Sequence, residues 1–172
     1  MEIKPENVFI ASYPRSGNTY LRTILYHCFG LRSASVYKDD LENNSLLKSN
    51  VGHIEQKNNA VDFGNQNIHL IKTHEMNMRY LSFSNNIKAF YIIRDARAAS
   101  NSLYNFYSKK IPLEQIILGQ SRFGIWSDHV LSLGKRNSSN ILVISYEDLL
   151  YNINPSLKII SNFLNVKILN NK

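Results

Sequence analysis

An apolar run that stops at a proline–glycine turn and restarts as a helix constrains this chain more than any other feature. Residues 8–13 read Val-Phe-Ile-Ala-Ser-Tyr, a strand by composition. Pro14-Arg15-Ser16-Gly17 follows as a turn, and residues 19–29 place Leu21, Ile24, Leu25 and Cys28 on one helical stripe. A strand that turns tightly into a helix aims several backbone N–H groups at one point, and the helix dipole adds partial positive charge. Such a junction suits a phosphate. Ser16, Asn18 and Thr19 add short polar side chains, and Arg15 adds a planar guanidinium matched to phosphate or sulfate oxygens. It is not a Walker A loop, which requires Gly-Lys-Ser/Thr after a first glycine and four residues. On local chemistry alone, an ordinary turn with Thr19 near the helix start accounts for the same residues.

The remaining pattern extends this unit. Residues 68–73, 88–93 and 141–145 are short runs rich in β-branched and aromatic residues, and read as strands. Helical spacing covers residues 95–107, 113–133 and 154–164; the second carries Phe123, Trp126, Val130 and Leu133, and the third has Pro155 in its first turn. Strand–helix alternation predicts an α/β fold, a parallel sheet of about four to five strands with helices on both faces. Residues 31–67 lack periodicity and read as loop with one or two short helices. The pairs Asn43-Asn44, Asn58-Asn59 and Asn85-Asn86 mark further loops. A length of 172 residues suits one domain.

Composition narrows the partners. Twenty basic against 13 acidic residues give a net charge of +7, which favours an anionic ligand. The basic residues are scattered, with only the pairs Lys109-Lys110 and Lys135-Arg136, so a nucleic-acid groove is not expected. One cysteine, Cys28, excludes an internal disulfide and a cysteine-based zinc cage. No histidine–carboxylate cluster has metal-ligand spacing, so no metal is expected. Met1-Glu2-Ile3-Lys4-Pro5 lacks the apolar core of a signal peptide, and no apolar run reaches about 18 residues. A cytoplasmic location is the default expectation.

Ligands of such sheets sit at the carboxyl ends of the strands. Two further groups lie at predicted strand ends. Lys72-Thr73-His74 closes the second strand, where a histidine neutral near pH 7 is placed to take a proton. Glu75 is the lesser candidate for the same task. Arg94 closes the third strand, Asp95 is a candidate N-cap, and Ser102 lies about two helical turns on. Arg94 and Ser102 could grip one phosphate from two directions. A strand-end arginine paired with Asp95 or Glu147 is the plainer alternative.

These motifs resemble the sulfotransferase family. The segment from Ser12 to Tyr20 is similar to its 5′-phosphosulfate loop, Thr-Tyr-Pro-Lys-Ser-Gly-Thr-Thr-Trp, with Arg15 for Lys and Tyr20 for Trp. Lys72-Thr73-His74 resembles its catalytic strand end, and Arg94 to Ser102 its 3′-phosphate segment, Arg-Asn-Pro-x-Asp-x-x-x-Ser. Asp95, Ala96 and Ala98 depart from that pattern, which predicts altered turn geometry. Phe123 to Val130 is similar to Phe-Gly-x-Trp-x-x-His-Val, read as core packing. Ile141 to Leu149 resembles the strand that ends in Tyr-Glu-Asp-Leu. The resemblance runs from about residue 8 to residue 164.

It implies a three-layer sandwich of the P-loop NTPase kind, acting on 3′-phosphoadenylyl sulfate. His74 would be the general base, Lys72 would touch the sulfuryl oxygens and Arg15 would neutralise the leaving phosphate. Arg15, Ser16, Gly17, Asn18, Thr19, Tyr20, Arg94, Ser102 and Tyr146 would hold the donor, with Tyr146 beside the base. The acceptor would be a hydroxyl or amine of a small molecule, carbohydrate or lipid. Residues 31–67 would form an irregular insertion on the acceptor side. The family's closing Arg-Lys-Gly loop has no counterpart before Asn170-Asn171-Lys172. An inactive domain that binds 3′-phosphoadenosine nucleotides, an ATP-dependent P-loop kinase, and assembly as a homo-oligomer stay open at this point.

Overall fold

β1 (Glu6–Ser12) lies at the centre of a sheet because its side chains are apolar on both faces. The computed structural model describes residues 6–37, 41, 44–58, 60–75, 87–134 and 139–169. Asn43, Asn59, the pairs Asn85-Asn86 and Lys135-Arg136, and the side chain of Leu133 fall outside them. β1 is followed by α1 (Asn18–Phe29), β2 (Ser33–Ser35), α2 (Ser45–Asn50) and a hairpin of β3 (Gln56–Lys57) and β4 (Ala60–Val61). Then come β5 (Ile68–Thr73), β6 (Ile87–Ile93), α3 (Ala96–Phe106), α4 (Leu113–Ile117) and α5 (Trp126–Gly134). β7 (Ile141–Ser145), α6 (Tyr146–Tyr151) and α7 (Ile153–Leu164) complete the described elements.

The five-stranded sheet has the order β2-β5-β1-β6-β7, and all its pairings are parallel. Alternation along β1 sends Val8 and Ile10 to one face, where they pack with Leu21 and Leu25 of α1 and Ile160 and Leu164 of α7. Ala11 lies on the other face with Ala89 and Tyr91 of β6. Beyond the end of β1, Tyr13 packs with Ala99 and Leu103 of α3 and Ile116 of α4. Helices therefore cover both faces, as the alternation of elements predicts.

Three departures from the sequence expectation have local causes. The single helix expected over residues 113–133 is two helices. Gly119 and Gly124 between them have φ of 74° and 70°, in the left-handed region, and a Cβ on Gly119 would lie 2.3 Å from Ile125. Residues 31–67 hold the one short helix that fits the expectation, but also an edge strand and a hairpin. Ser-Ala-Ser has no strand signature. β2 is fixed instead by Arg22, which is 1% exposed, donates from Nε to Ser33 Oγ at 2.8 Å and lies 2.9 Å from His53 Nδ1. Finally, α6 follows β7 directly where no helical spacing was read: Ser145 caps it by accepting from the Asp148 N–H, and Glu147 and Asp148 lie in its first turn.

One buried polar chain joins α5 to the sheet. The Tyr91 hydroxyl lies 2.8 Å from His129 Nδ1, and His129 Nε2 lies 3.0 Å from the His74 carbonyl. A carbonyl can only accept, so Nε2 carries the proton and Nδ1 accepts from the tyrosine. His129 is fully buried, and desolvation holds its imidazole below the ordinary value, partly offset by the bond to the His74 carbonyl. The folded chain therefore refuses a proton that the unfolded chain takes below about pH 6.5, and this component of stability is lost as pH falls.

His129→Gln is expected to be less stable than wild type near neutral pH, with the gap narrowing from about pH 7.5 to about pH 5. Urea unfolding across that range checks this, and a constant gap would contradict it. Gly17, at φ of 105°, precedes α1, and a Cβ there would lie 2.3 Å from Tyr146. Gly17→Ala is expected to cost about 1–3 kcal/mol in the same assay; unchanged stability would refute the strain.

Candidate active site

Strand order assembles the site. β5 and β6 flank β1, so the residues after their carboxyl ends stand on either side of the loop that follows β1. That loop begins with a turn in which the Ser16 N–H donates to the Tyr13 carbonyl at 3.2 Å. Pro14 and Arg15 are the central residues, and Arg15 has φ of 65°. Proline first and a positive φ second mark a type II turn, whose second position ordinarily takes glycine. Arg94 supports this conformation by donating from Nη1 to the Arg15 carbonyl at 2.9 Å.

The loop then enters α1 through Gly17. Ser16 is fully buried, and its hydroxyl has no hydrogen-bond partner among the described residues. The Asn18 side chain turns inward, donating to the Ile10 carbonyl at 2.8 Å and the Ser12 hydroxyl at 3.4 Å. It fastens helix to strand. Thr19 gives its carbonyl to the Thr23 hydroxyl at 3.0 Å. Tyr20 meets Tyr146 edge-on, with ring centroids 6.0 Å apart. The Tyr146 ring lies against Gly17 and under the Arg94 guanidinium, whose Cζ is 4.5 Å from the ring centroid.

His74 lies just past β5. Its Nδ1 is 2.9 Å from the Ser12 carbonyl and 3.3 Å from the Ser12 hydroxyl. Facing a carbonyl, Nδ1 carries the proton, which puts the lone pair on Nε2. The backbone is fixed as well: the His74 N–H donates to the Tyr37 hydroxyl at 2.9 Å, and the carbonyl accepts from His129. The ring stacks on Tyr37 at 6.0 Å and meets the edge of Phe123 at 5.7 Å. Lys72 is 9% exposed, with Nζ 5.0 Å from the Tyr37 ring centroid. Glu75 accepts from the Tyr37 hydroxyl at 3.1 Å and pairs with Arg122 at 3.5 Å.

On the β6 side, Arg94 makes neither of the contacts weighed as the plainer alternative. Asp95 pairs with Arg97 at 3.0 Å and caps α3, and Glu147 accepts from the Asp95 N–H at 3.2 Å. Arg15 donates from Nε to Ser102 Oγ at 3.2 Å. Arg15, Arg94 and Ser102 line one cavity of about 500 Å³. The loop, His74, Lys72, Arg94 and Ser102 thus occupy one edge of the sheet.

Tyr37 and His129 are the residues that sequence reading missed. Tyr37 lies in the unpatterned segment and carries no local signal. His129 does carry one, a lone polar residue on an apolar stripe, but that pattern equally describes a satisfied core histidine.

A sulfotransferase domain model matches residues 5–172. The mouse sulfotransferase 1 family member D1 is 30% identical over 182 residues, covering 95% of this chain and 60% of that protein. A WSCD family member of Aedes aegypti is 27% identical over 174 residues, covering 92% of this chain and 50% of that protein. Among solved structures, mouse sulfotransferase SULT7A1 complexed with PAP superposes with a TM-score of 0.69 at 22% identity, over 96% of this chain and 61% of that one. A sulfotransferase domain from the curacin biosynthetic pathway gives 0.59 at 16% identity, over 96% and 76%. The chain spans 50–60% of the length of these two curated relatives. Matched along nearly its whole length by the family model, this chain belongs to the sulfotransferase domain family.

Proposed function

We propose that residues 1–172 act as one domain that transfers a sulfuryl group from 3′-phosphoadenylyl sulfate to a hydroxyl or amine. The observation that carries this is the contact of His74 Nδ1 with the Ser12 carbonyl at 2.9 Å. It holds a proton acceptor beside the loop that suits a phosphate. The orphaned Ser16 hydroxyl and the N-terminus of α1 fit an anion there. Solved relatives of the same fold include complexes with PAP, the product of such a donor, and with retinol or androsterone. A small-molecule acceptor agrees with those ligands, and carbohydrate and lipid acceptors use the same chemistry.

In the proposed reaction, Nε2 of His74 takes the acceptor proton as the acceptor oxygen or nitrogen bonds to sulfur. The bond from sulfur to the bridging oxygen breaks, and its electron pair leaves on the 5′-phosphate. Backbone N–H groups of residues 16–19 stabilise that charge, with Ser16 and the N-terminus of α1. Lys72 neutralises the sulfuryl oxygens in transit. Arg15, Arg94 and Ser102 hold the phosphates of the nucleotide, and Tyr146 and Tyr20 border its base. The His74 imidazole keeps its orientation through Ser12, Tyr37 and, by way of its backbone, His129.

Adenosine 3′,5′-bisphosphate at about 100 times its dissociation constant is expected to raise the melting temperature by about 5 °C or more. ATP with magnesium should give a smaller rise. A larger rise with ATP–magnesium would instead indicate a kinase. His74→Ala should lower transfer of labelled sulfate by about 10²–10⁴-fold and keep the nucleotide shift. Transfer at the wild-type rate would remove His74 from the base role.

A further inference from the structure

Arg22 is a charged side chain enclosed by the fold, 1% exposed. Its Nε donates to Ser33 Oγ at 2.8 Å, and its Nη2 lies 2.9 Å from His53 Nδ1. A guanidinium only donates and keeps its charge at any ordinary pH. Nδ1 of His53 must therefore accept, which puts the ring proton on Nε2 and leaves the imidazole neutral. A protonated His53 would lose this bond and set a second positive charge against the buried guanidinium.

The contact sits where α1, β2 and the segment after α2 meet. Arg22 comes from α1, Ser33 opens β2, and His53 follows α2. Beside it the Ser33 N–H donates to the Gly52 carbonyl at 3.1 Å, and the Ile54 N–H to the Ser33 carbonyl at 2.9 Å. β2 is three residues long and lies at one end of the sheet order. A short edge strand belongs to the low-stability end of a fold, where one side-chain bond counts. Past β2, the Tyr37 N–H donates to Ser35 Oγ at 3.1 Å, and the Tyr37 hydroxyl accepts from the His74 N–H at 2.9 Å. The edge strand thus leads from the Arg22–His53 contact to a support of the His74 backbone.

Among the described residues, Arg32, Lys48 and Lys57 line the cavity that His53 borders, together with Glu55 and Asp62. From α1 the Tyr26 ring packs against Gly52, the residue before His53. Lys48 pairs with Glu55, and first this bond and charge hold the Glu55 carboxyl below its ordinary value. Glu55 is exposed and engaged by Lys48, so it offsets little of a new charge on His53.

We propose that the Arg22–His53 contact is a proton-sensitive latch on β2: neutral His53 closes it, and protonated His53 releases the edge strand and, through Tyr37, the backbone of His74. An opened segment takes up a proton at the ordinary histidine value, about 6.5, that the closed segment refuses. Opening therefore grows as pH falls, by about tenfold between pH 7.5 and pH 5.5. The latch does not depend on the reaction proposed above.

Hydrogen exchange read amide by amide by NMR, corrected for intrinsic rates, tests it. In wild type the protection of the Ser33, Ile54 and His74 amides should fall by about tenfold from pH 7.5 to pH 5.5. His53→Asn keeps an acceptor oxygen at the position of Nδ1 but does not titrate, and should remove that fall. The same fall in His53→Asn would overturn the latch, as would wild-type protection that does not change with pH. A second measurement needs no variant. The ring nitrogen shifts of His53 at pH 7.5 should show the proton on Nε2, and a proton on Nδ1 would overturn the latch. A His74 amide that keeps its protection while Ser33 and Ile54 open would overturn the link to the site.

Discussion

The carbonyl of Ser12 is where sheet, loop and the His74 ring meet. Ser12 is the last residue of the central strand, and its carbonyl receives the His74 ring at 2.9 Å. The pairing of β1 with β5 brings these residues together, since Ala11 pairs with Thr73 and one further step reaches Ser12 and His74. The same contact sets the tautomer, because a carbonyl accepts only from the protonated nitrogen. It also sets the distance between proton acceptor and loop. Tyr37 and His129 hold the His74 backbone from two sides, so the ring has little freedom to leave. In the proposed role of base, a ring fixed this way would lose little entropy when an acceptor arrives.

Positive charge is arranged on both flanks of that point by different means. Lys72 is largely buried and sits over the Tyr37 ring at 5.0 Å. Arg94 sits over the Tyr146 ring at 4.5 Å and also holds the Arg15 carbonyl. An aromatic face lies against each of these cations. Among the described residues, Asp95 and Glu147 are turned instead to Arg97 and to the Asp95 N–H.

Much of this was legible in the sequence where signals are local. The β1–loop–α1 unit reads plainly because an apolar strand, Pro14, Gly17 and a periodic helix each point to the same structure. β5 and β7 match their expected bounds for the same reason. β2 did not read as a strand, because Ser33–Ser35 is held by Arg22, whose contacts join residues far apart in the chain. The break between α4 and α5 depends on backbone conformation at Gly119 and Gly124, which helical spacing alone does not weigh. At the site, the leaving-phosphate role of Arg15 came from the resemblance alone; its bond from Nε to Ser102, 87 residues away in the chain, is a contact that local pattern does not show. The Asn18 amide also donates to the Ile10 carbonyl, a contact between helix and strand that the loop pattern does not show.

The account stands on one nucleotide bridging the loop and the α3 cavity. A crystal structure of the chain with adenosine 3′,5′-bisphosphate measures that directly. The account predicts the 5′-phosphate within hydrogen-bond distance, about 3 Å, of the N–H groups of residues 16–19. It predicts the 3′-phosphate against Arg94 and Ser102, with Nε2 of His74 on the 5′ side. A nucleotide bound away from the loop, or with its 3′-phosphate on the β5 flank, would contradict it.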